Sequence, residues 1–220
     1  MSPDDHAKVS AAIAAAEAGT DGEIVAITTD TSDFYHDVGL HYAVAALFVT
    51  VAAFAVWPEF LEGLWTRLMG WSELPGLQQY LTLLLGVALL KFLAVLYIMK
   101  WMPLRLALTP GATKTRRVRR RALMLFRAAA ERRTVGRTAV IIYLSMGERR
   151  AEIIGDEAIT AVTTPETWGE AMAALIVEVK AGRPGDGIVA AVDRVGKVLA
   201  EHFPKTSADL NEIPDKLIEL

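Results

Sequence analysis

The sequence lacks cysteine altogether, which excludes disulfide bonds, thiolate metal sites and a cysteine nucleophile. The N-terminus MSPDDHAKVS also lacks the basic cluster of a secretory signal peptide and carries Asp4 and Asp5 instead, so we expect no cleaved export signal. Asp, Glu, Lys and Arg are all missing from VGLHYAVAALFVTVAAFAVW, residues 38–57. Because a helix of about 20 apolar residues crosses the hydrocarbon core of a bilayer, this stretch is predicted to be a transmembrane helix.

A second apolar stretch, LTLLLGVALLKFLAVLYIMKWM, covers residues 81–102 and places Lys91 near its middle. A lysine at the centre of a span costs about 2.5 to 3.5 kcal/mol on insertion scales. Roughly a dozen Leu, Val, Ile and Phe residues at about −0.3 to −0.6 kcal/mol each outweigh that cost, which predicts a second span. Between the spans, residues 58–80 mix aromatic, aliphatic and acidic side chains, and we expect a short amphipathic helix at the membrane surface.

Basic residues are concentrated directly after the second span. Residues 113–137 hold ten Lys or Arg and one Glu, so this segment carries +9 and the rest of the chain −12, which together give the net charge of −3. The loop between the spans offers only Arg67. The positive-inside rule therefore predicts that the second span exits into the cytoplasm and that the N-terminus lies on the same side. The residues that set this orientation are Lys100, Arg105, Arg116, Arg117, Arg119, Arg120 and Arg121.

The same cations are attracted to the anionic headgroups of a lipid bilayer, at about 1 kcal/mol for each basic residue near the surface. Orientation and lipid attraction together account for the arginines, so we expect the bilayer, and no nucleic acid, as their partner.

The soluble remainder alternates helical and strand patterns. Ser2 and Pro3 begin a helix that extends to about residue 18, and the β-branched run 23–29 is typical of a buried strand. A basic amphipathic helix follows the spans, then a strand at 137–145 and an antiparallel partner at 149–156. Thr164 and Pro165 are predicted to begin the next helix, and residues 186–203 the last. This order indicates an α/β domain with helices on both faces of one sheet.

Four segments follow from these patterns. Residues 1–37 form the first part of the soluble domain, and residues 38–102 form the transmembrane hairpin with its interfacial loop. Residues 103–204 form the second part of the soluble domain, and residues 205–220 a C-terminal tail.

Three stretches together carry a family resemblance: GEIVA, TAVIIYLSMGERRAEIIGDEAI and DGIVAAV. With the hairpin between them, they resemble the TPM domain family, and more narrowly a bacterial membrane subgroup in which a hairpin interrupts the domain after its first strand. The resemblance implies a three-layer α/β/α sandwich and a place in a bacterial membrane. With the orientation expected from the basic residues, the prediction is a multi-pass inner-membrane protein with both termini and the soluble domain in the cytoplasm. It also implies two kinds of role, acid phosphatase activity and the assembly or maintenance of membrane complexes.

Acidic residues at strand ends and helix starts are the candidates for chemistry: Asp30, Asp33, Asp156, Glu157 and Asp186. If some of them meet at one edge of the sheet, their oxygens suit a hard cation such as Mg²⁺ or Ca²⁺, which could assist phosphate hydrolysis. Acids in such positions also serve as helix caps and solvated turns. The sequence contains no calcium-loop spacing, nucleophile elbow or phosphate-binding glycine loop.

Three residues near or inside the membrane complete the candidates. His36 and His41 stand beside acids at the start of the first span, where packing at the interface is the favoured interpretation. Lys91 either extends toward the headgroups or faces a carboxylate on another protein or protomer.

Two functions therefore remain. The first is an interaction or assembly module that binds a membrane-protein partner or a second copy of the chain. The second is a divalent-metal-dependent acid phosphatase. The absence of a recognisable catalytic motif favours the first.

Overall fold

The computed structural model of the chain describes residues 1–70, 75–129, 138–164, 166–206 and 213–220. In chain order the elements are α1 (Pro3–Glu17), β1 (Glu23–Thr29), α2 (His36–Val56), α3 (Glu59–Met69), α4 (Leu77–Ile98), α5 (Met102–Leu108), α6 (Gly111–Ala129), β2 (Ala139–Ser145), β3 (Arg150–Gly155), α7 (Glu157–Val162), α8 (Gly169–Lys180), α9 (Pro184–His202) and β4 (Ile218–Glu219).

The chain divides into two compact units. The soluble unit joins Met1–Asp33 to Pro110–Leu220, and the hairpin unit is Phe34–Thr109. The hairpin unit extends beyond the predicted segment 38–102 because it also contains α5 and the residues just before α2.

The sheet of the soluble unit has the strand order β3-β2-β1-β4. β1 and β2 are parallel, with Glu23 opposite Ala139 and Thr29 opposite Ser145, and β3 is antiparallel to β2. Every residue of β1 and β2 is buried, as expected for parallel strands covered on both faces. The predicted strands and the antiparallel pair are confirmed.

Two apolar clusters cover the two faces of the sheet. On one face α1, α8 and α9 pack against the sheet through Val9, Ile13, Leu175, Ile188, Val192 and Leu199. On the other face α6 packs through Val118, Ala122 and Phe126. Helices on both sides of one sheet make three layers, so the α/β/α sandwich is confirmed.

Local chemistry explains the start of α1 and the close packing of α9. Ser2 caps α1: its hydroxyl accepts the Asp5 N–H at 3.1 Å, and the Asp5 carboxylate accepts the Ser2 N–H at 2.9 Å, a capping box. α9 approaches its neighbours closely because it contains glycine: a Cβ at Gly196 would lie 2.7 Å from the Cβ of Ala16.

The start of α8 differs from the prediction. The helix begins at Gly169, and Thr164 is not its cap, since the Thr164 N–H donates to the hydroxyl of Thr167 in a preceding turn. Pro165 lies outside the described residues.

Two elements of the soluble unit have no counterpart in the sequence pattern. The helix α7 follows β3 directly, with Asp156 as its cap. β4 comes from residues 205–220, which were predicted to form only a tail. It pairs with β1 in parallel, Ile27 opposite Ile218, and the Leu220 N–H donates to the Thr28 carbonyl at 3.0 Å.

The hairpin unit is built on α2 and α4, which pack against each other. Both are long and apolar enough to cross a membrane, with mean hydropathies of 2.0 and 2.4, and only 17% and 6% of their most apolar windows are buried. Such large exposed apolar surfaces are unusual on water-soluble proteins. The amphipathic helix expected between the spans is present as α3.

Candidate functional site

The parallel strands β1 and β2 end side by side, at Thr29 and Ser145. The residues that follow each strand are joined by backbone hydrogen bonds: the Met146 N–H donates to the Thr29 carbonyl at 3.0 Å, and the Gly147 N–H to the Asp30 carbonyl at 2.7 Å. We call residues 30–33 and 143–149, with Arg117 and Arg120 of α6, the strand-end site. Ligands of α/β proteins commonly bind at the carboxyl ends of such strands.

Glu148 is the central acid of this site, although it was not among the predicted residues. Its side chain is buried and accepts hydrogen bonds from the Ser32 N–H at 2.9 Å and from the hydroxyl of Ser145. The Ser32 hydroxyl in turn contacts the Tyr143 hydroxyl at 2.9 Å. Burial raises the pKa of Tyr143, against a smaller opposing effect of the Ser32 hydrogen bond. Glu148 therefore ties the turn after β2 to the chain that leaves β1.

Asp33 pairs with two arginines of α6. Its carboxylate lies 3.1 Å from the Arg117 guanidinium and 3.5 Å from that of Arg120. Arg117 and Arg120 are three residues apart and share one face of the helix. Arg117 is largely buried, with 16% of its side chain exposed, whereas Arg120 is 73% exposed. Both were predicted to act only in membrane topology, but here they neutralise an acid of their own domain.

The other predicted acids do not gather here. Asp156 and Glu157 lie at the opposite end of the sheet, where the Asp156 N–H donates to the carbonyl of Ala139, the first residue of β2. Asp186 lies in the first turn of α9, 3.7 Å from Lys8. Asp30 is exposed just after β1.

No group of three or more His, Asp or Glu residues suited to a metal ion occurs in the described part of the chain. The five acids therefore do not share one edge of the sheet, and a Mg²⁺ or Ca²⁺ site on them stays a prediction.

The remaining basic residues divide between the two units. Arg105 is buried in the hairpin unit: its guanidinium donates to the Phe34 carbonyl and, at 2.9 Å, to the Lys100 carbonyl, and it contacts His36 Nδ1 at 3.2 Å. Arg105 therefore joins the start of α2 to the end of α4 within the hairpin unit, and its role in setting the membrane orientation stays a prediction. Lys100 is exposed, with its ammonium 5.4 Å from the centre of the Tyr97 ring.

Four arginines of α6 are exposed, namely Arg116, Arg119, Arg120 and Arg127, while Arg121 is half-buried. On α4, Lys91 is exposed and forms no ion pair within the described residues of its unit. Thr50, at a similar position on α2, is buried and donates to the Ala46 carbonyl at 2.7 Å.

The two predicted histidines have neighbours within the hairpin unit. His36 stacks on Phe34 at 5.7 Å between ring centres, and His41 Nδ1 lies 2.6 Å from the Asp37 carbonyl oxygen. These contacts fit the packing interpretation.

A buried acid at the other end of the sheet was also missed. Glu17, the last residue of α1, is 7% exposed and accepts the Ile24 N–H at 2.6 Å. Burial raises its pKa to about 8; the Ile24 hydrogen bond opposes this, and the nearby acids Glu23 and Asp215 add to it. No sequence pattern identifies Glu17, because an acid at the end of an amphipathic helix normally faces solvent.

Two acids of the strand-end site, Asp33 and Glu148, therefore already have partners within their own domain. The fold and this site define a class: a small α/β/α domain interrupted, after its first strand, by a hairpin of two apolar helices.

Comparison with known proteins agrees with this class of fold. The family model of the TPM domain matches residues 108–198. Residues 108–198 therefore carry a TPM domain, which confirms the resemblance seen in the sequence.

The fold is also that of the BA42 protein from the psychrophilic bacterium Bizionia argentinensis, solved by NMR. That structure aligns with a TM-score of 0.57 at 17% identity, covering 100% of this chain and 95% of the other. No curated protein matches the chain.

Proposed function

We propose that the chain is a membrane-anchored TPM domain that acts as an interaction, assembly or maintenance factor for a membrane complex. The observation that carries this proposal is the state of the strand-end site. Asp33 is neutralised by Arg117 and Arg120, and Glu148 is held by Ser32 and Ser145. Groups engaged in this way stabilise the domain rather than offer a free base or metal ligand.

The anchor in this proposal is the hairpin, which spans the inner membrane of a bacterium twice. Exposed cations support an orientation with both termini and the soluble unit in the cytoplasm: Lys100, Arg116 and Arg119 follow the second span, against Arg67 alone between the spans. Arg105, Arg117 and Arg120 contribute less than the sequence suggests, because they are engaged within their own units.

Lys91 supports a partner within the membrane. An ammonium on the exposed surface of an apolar helix is costly in hydrocarbon unless a carboxylate pairs with it or its side chain reaches the headgroups. Because Lys91 is exposed in the middle of α4 and the hairpin supplies no such carboxylate among its described residues, we propose that an acid of a partner protein or of a second copy faces it.

A second candidate is a divalent-metal-dependent acid phosphatase. One observation favours it: the family model that matches residues 108–198 is itself named for a phosphatase. In this alternative Asp30 and Asp33 would hold the cation, and Arg117 and Arg120 would attract the phosphate.

The deciding experiment measures hydrolysis of para-nitrophenyl phosphate by the full chain in detergent, with EDTA, Mg²⁺ or Ca²⁺, beside Asp30→Asn and Asp33→Asn. We expect no turnover above the detergent blank. Metal-dependent turnover that the variants abolish would replace the interaction proposal with the phosphatase.

Native electrophoresis of solubilised membranes tests the interaction itself. We expect the wild-type chain in a species larger than its monomer and Lys91→Leu shifted toward the monomer, with Lys100→Leu as the matched control. An identical pattern for all three chains would remove Lys91 from the proposal, and monomer alone for the wild type would remove the complex.

Because the chain has no cysteine, single-cysteine variants report the orientation directly. In intact spheroplasts a membrane-impermeant maleimide should label Glu59→Cys and should label Glu201→Cys only after permeabilisation. The reverse pattern would contradict the cytoplasmic placement.

A further inference from the structure

The β3 strand borders the sheet, and a cavity of about 620 Å³ opens beside it. The cavity lies within the soluble unit and is lined by residues of β3, the end of β2, α6 and α8. Its volume falls in the range of about 300 to 1,000 Å³ that is typical of binding sites. An edge strand also presents unpaired backbone N–H and C=O groups, with which another strand can pair.

The two sides of β3 face different chemistry. Ala151 and Ile153 pack with the cluster that contains α8, whereas Ile154 packs with the cluster that contains α6. Since side chains alternate along a strand, Arg150 and Glu152 share the α6 side with Ile154. A strand paired with β3 would alternate in the same way, with one set of side chains toward α8 and the other toward α6.

The α8 side is apolar. Met172, Leu175, Ile176 and Val179 line the cavity there, and Ile176 is 39% exposed. Charged residues on an edge strand often serve only to prevent association. Here the charged residues of β3 lie beside an accessible apolar surface on α8. Apolar side chains of a partner would remove this surface from water, so the edge can favour association.

The α6 side and the rim are basic. Arg149, Arg150 and Lys180 line the cavity. Burial raises the pKa of Glu152, and the positive charges of Arg119 of α6 and Arg150 oppose that shift, which places both cations near this acid. Four cations against one acid favour a negatively charged partner.

We propose that the β3 edge binds an extended acidic segment of a membrane-protein partner as an additional strand. The acidic side chains of this segment face α6, and its alternate apolar side chains fill the cavity beside α8. This inference rests on the proposed interaction function and adds to it the surface and the chemistry of the partner, a segment in which apolar and acidic residues alternate.

The test uses the full chain in detergent and a fluorescein-labelled peptide of about eight residues that alternates Val and Glu, long enough to pair along β3. Binding is measured by fluorescence anisotropy. One control peptide replaces each Glu by Lys. The other replaces one central Val by Pro, which has no backbone N–H to donate to a paired strand. We expect saturable binding of the Val-Glu peptide only, weakened by added salt.

Variants locate the binding surface. Arg119→Glu and Lys180→Glu should each weaken binding by roughly 2- to 5-fold, the range expected for an exposed charge contact. Ile176→Ser should weaken it by a similar factor without changing the salt dependence. Arg194→Glu, which makes the same charge change at an exposed position of α9, should leave binding unchanged.

The combined Arg119→Glu and Lys180→Glu variant should prefer the Val-Lys peptide. A reversed preference cannot arise from a misfolded chain, so it distinguishes recognition from lost stability.

Three results would overturn the inference: no binding of the Val-Glu peptide, equal binding of the proline peptide, or loss of binding through dimerisation of the chain at β3. Binding of short-chain anionic phospholipid in the cavity without peptide binding would also overturn it, in favour of a lipid site. None of these results touches the Lys91-dependent complex or the phosphatase assay, so the proposed function can stand when this inference fails.

Discussion

Glu17 makes the stability of the soluble unit depend on pH in an unusual direction. Its pKa is about 8 in the folded chain, against 4.5 for an ordinary glutamate. Below about pH 4.5 both the folded and the unfolded chain keep the proton. Between about 4.5 and 8 only the unfolded chain loses it, which stabilises the unfolded state. The free energy of unfolding should therefore fall as the pH rises through this window and level off above it.

The size of this fall in the free energy of unfolding follows from the folded and the ordinary pKa of Glu17. Their difference, at about 1.36 kcal/mol per pKa unit, gives an upper limit of about 5 kcal/mol. We expect about 2 to 4 kcal/mol, because the surroundings of a buried acid relax and admit water when it ionises. Glu17→Gln should abolish this dependence. Glutamine can still accept the Ile24 N–H, and its amide occupies the place of the protonated oxygen without ionising.

Urea unfolding in a nonionic detergent between pH 5 and 9 would measure the effect. Trp168 packs against the core of the soluble unit, so its fluorescence reports this unit once the other four tryptophans have been replaced by phenylalanine. Glu201→Gln, on the exposed surface of α9, serves as the control and should keep the wild-type dependence. If the free energy of unfolding changed with pH by the same amount in wild type and in Glu17→Gln, the reasoning would be refuted.

Three further perturbations test other contacts. Arg105→Met should destabilise the hairpin unit by about 2 to 3 kcal/mol, since it removes charged hydrogen bonds from a buried guanidinium to two backbone carbonyls. Limited proteolysis in nanodiscs should be faster for the variant, and an unchanged rate would contradict the assignment. Asp33→Asn should destabilise the soluble unit by about 1 to 2 kcal/mol, because the largely buried Arg117 loses the charge of Asp33. Urea unfolding measures this difference in free energy between wild type and variant, and added salt should reduce it. Equal free energies of unfolding at low salt would contradict the ion pair. Gly196→Ala should lower the stability of the soluble unit by about 1 to 3 kcal/mol through overpacking against α1. Gly169→Ala, which has open space around it, should not. Equal shifts of the melting temperature for the two variants would contradict the close approach of α9 to α1.

Elements with their own periodicity could be predicted from the sequence. β1 and β2 are runs of β-branched residues between turn signals, and α9 repeats apolar residues at helical spacing, so their patterns match the structure within a few residues. β4 could not be predicted, because two residues carry no period. It is a strand only because the edge of β1 offers it partners.

The candidate site was less predictable, since its residues are brought together by tertiary structure. Arginine spacing in the basic run indicates a helix face, but only the structure shows that Arg117 turns to Asp33 while Arg119 turns toward β3. The burial of Arg105 could not be predicted for the same reason. It depends on the carbonyl of Phe34, which is far away in the sequence, and on that of Lys100, which lies just before α5.

The position of the Asp33 ion pairs explains why the strand-end acids are engaged in this protein. Asp33 is the last residue of the soluble unit before the hairpin, and Arg117 and Arg120 lie shortly after the chain returns at Pro110. The ion pairs hold together the two chain segments that lead into and out of the hairpin unit, so the whole hairpin unit becomes a closed loop. The entropic cost of closing a loop grows only slowly with its length. The pair is therefore placed where a large insertion most needs a local contact. The ion pairs of Asp33 with Arg117 and Arg120 therefore help to keep the interrupted domain closed.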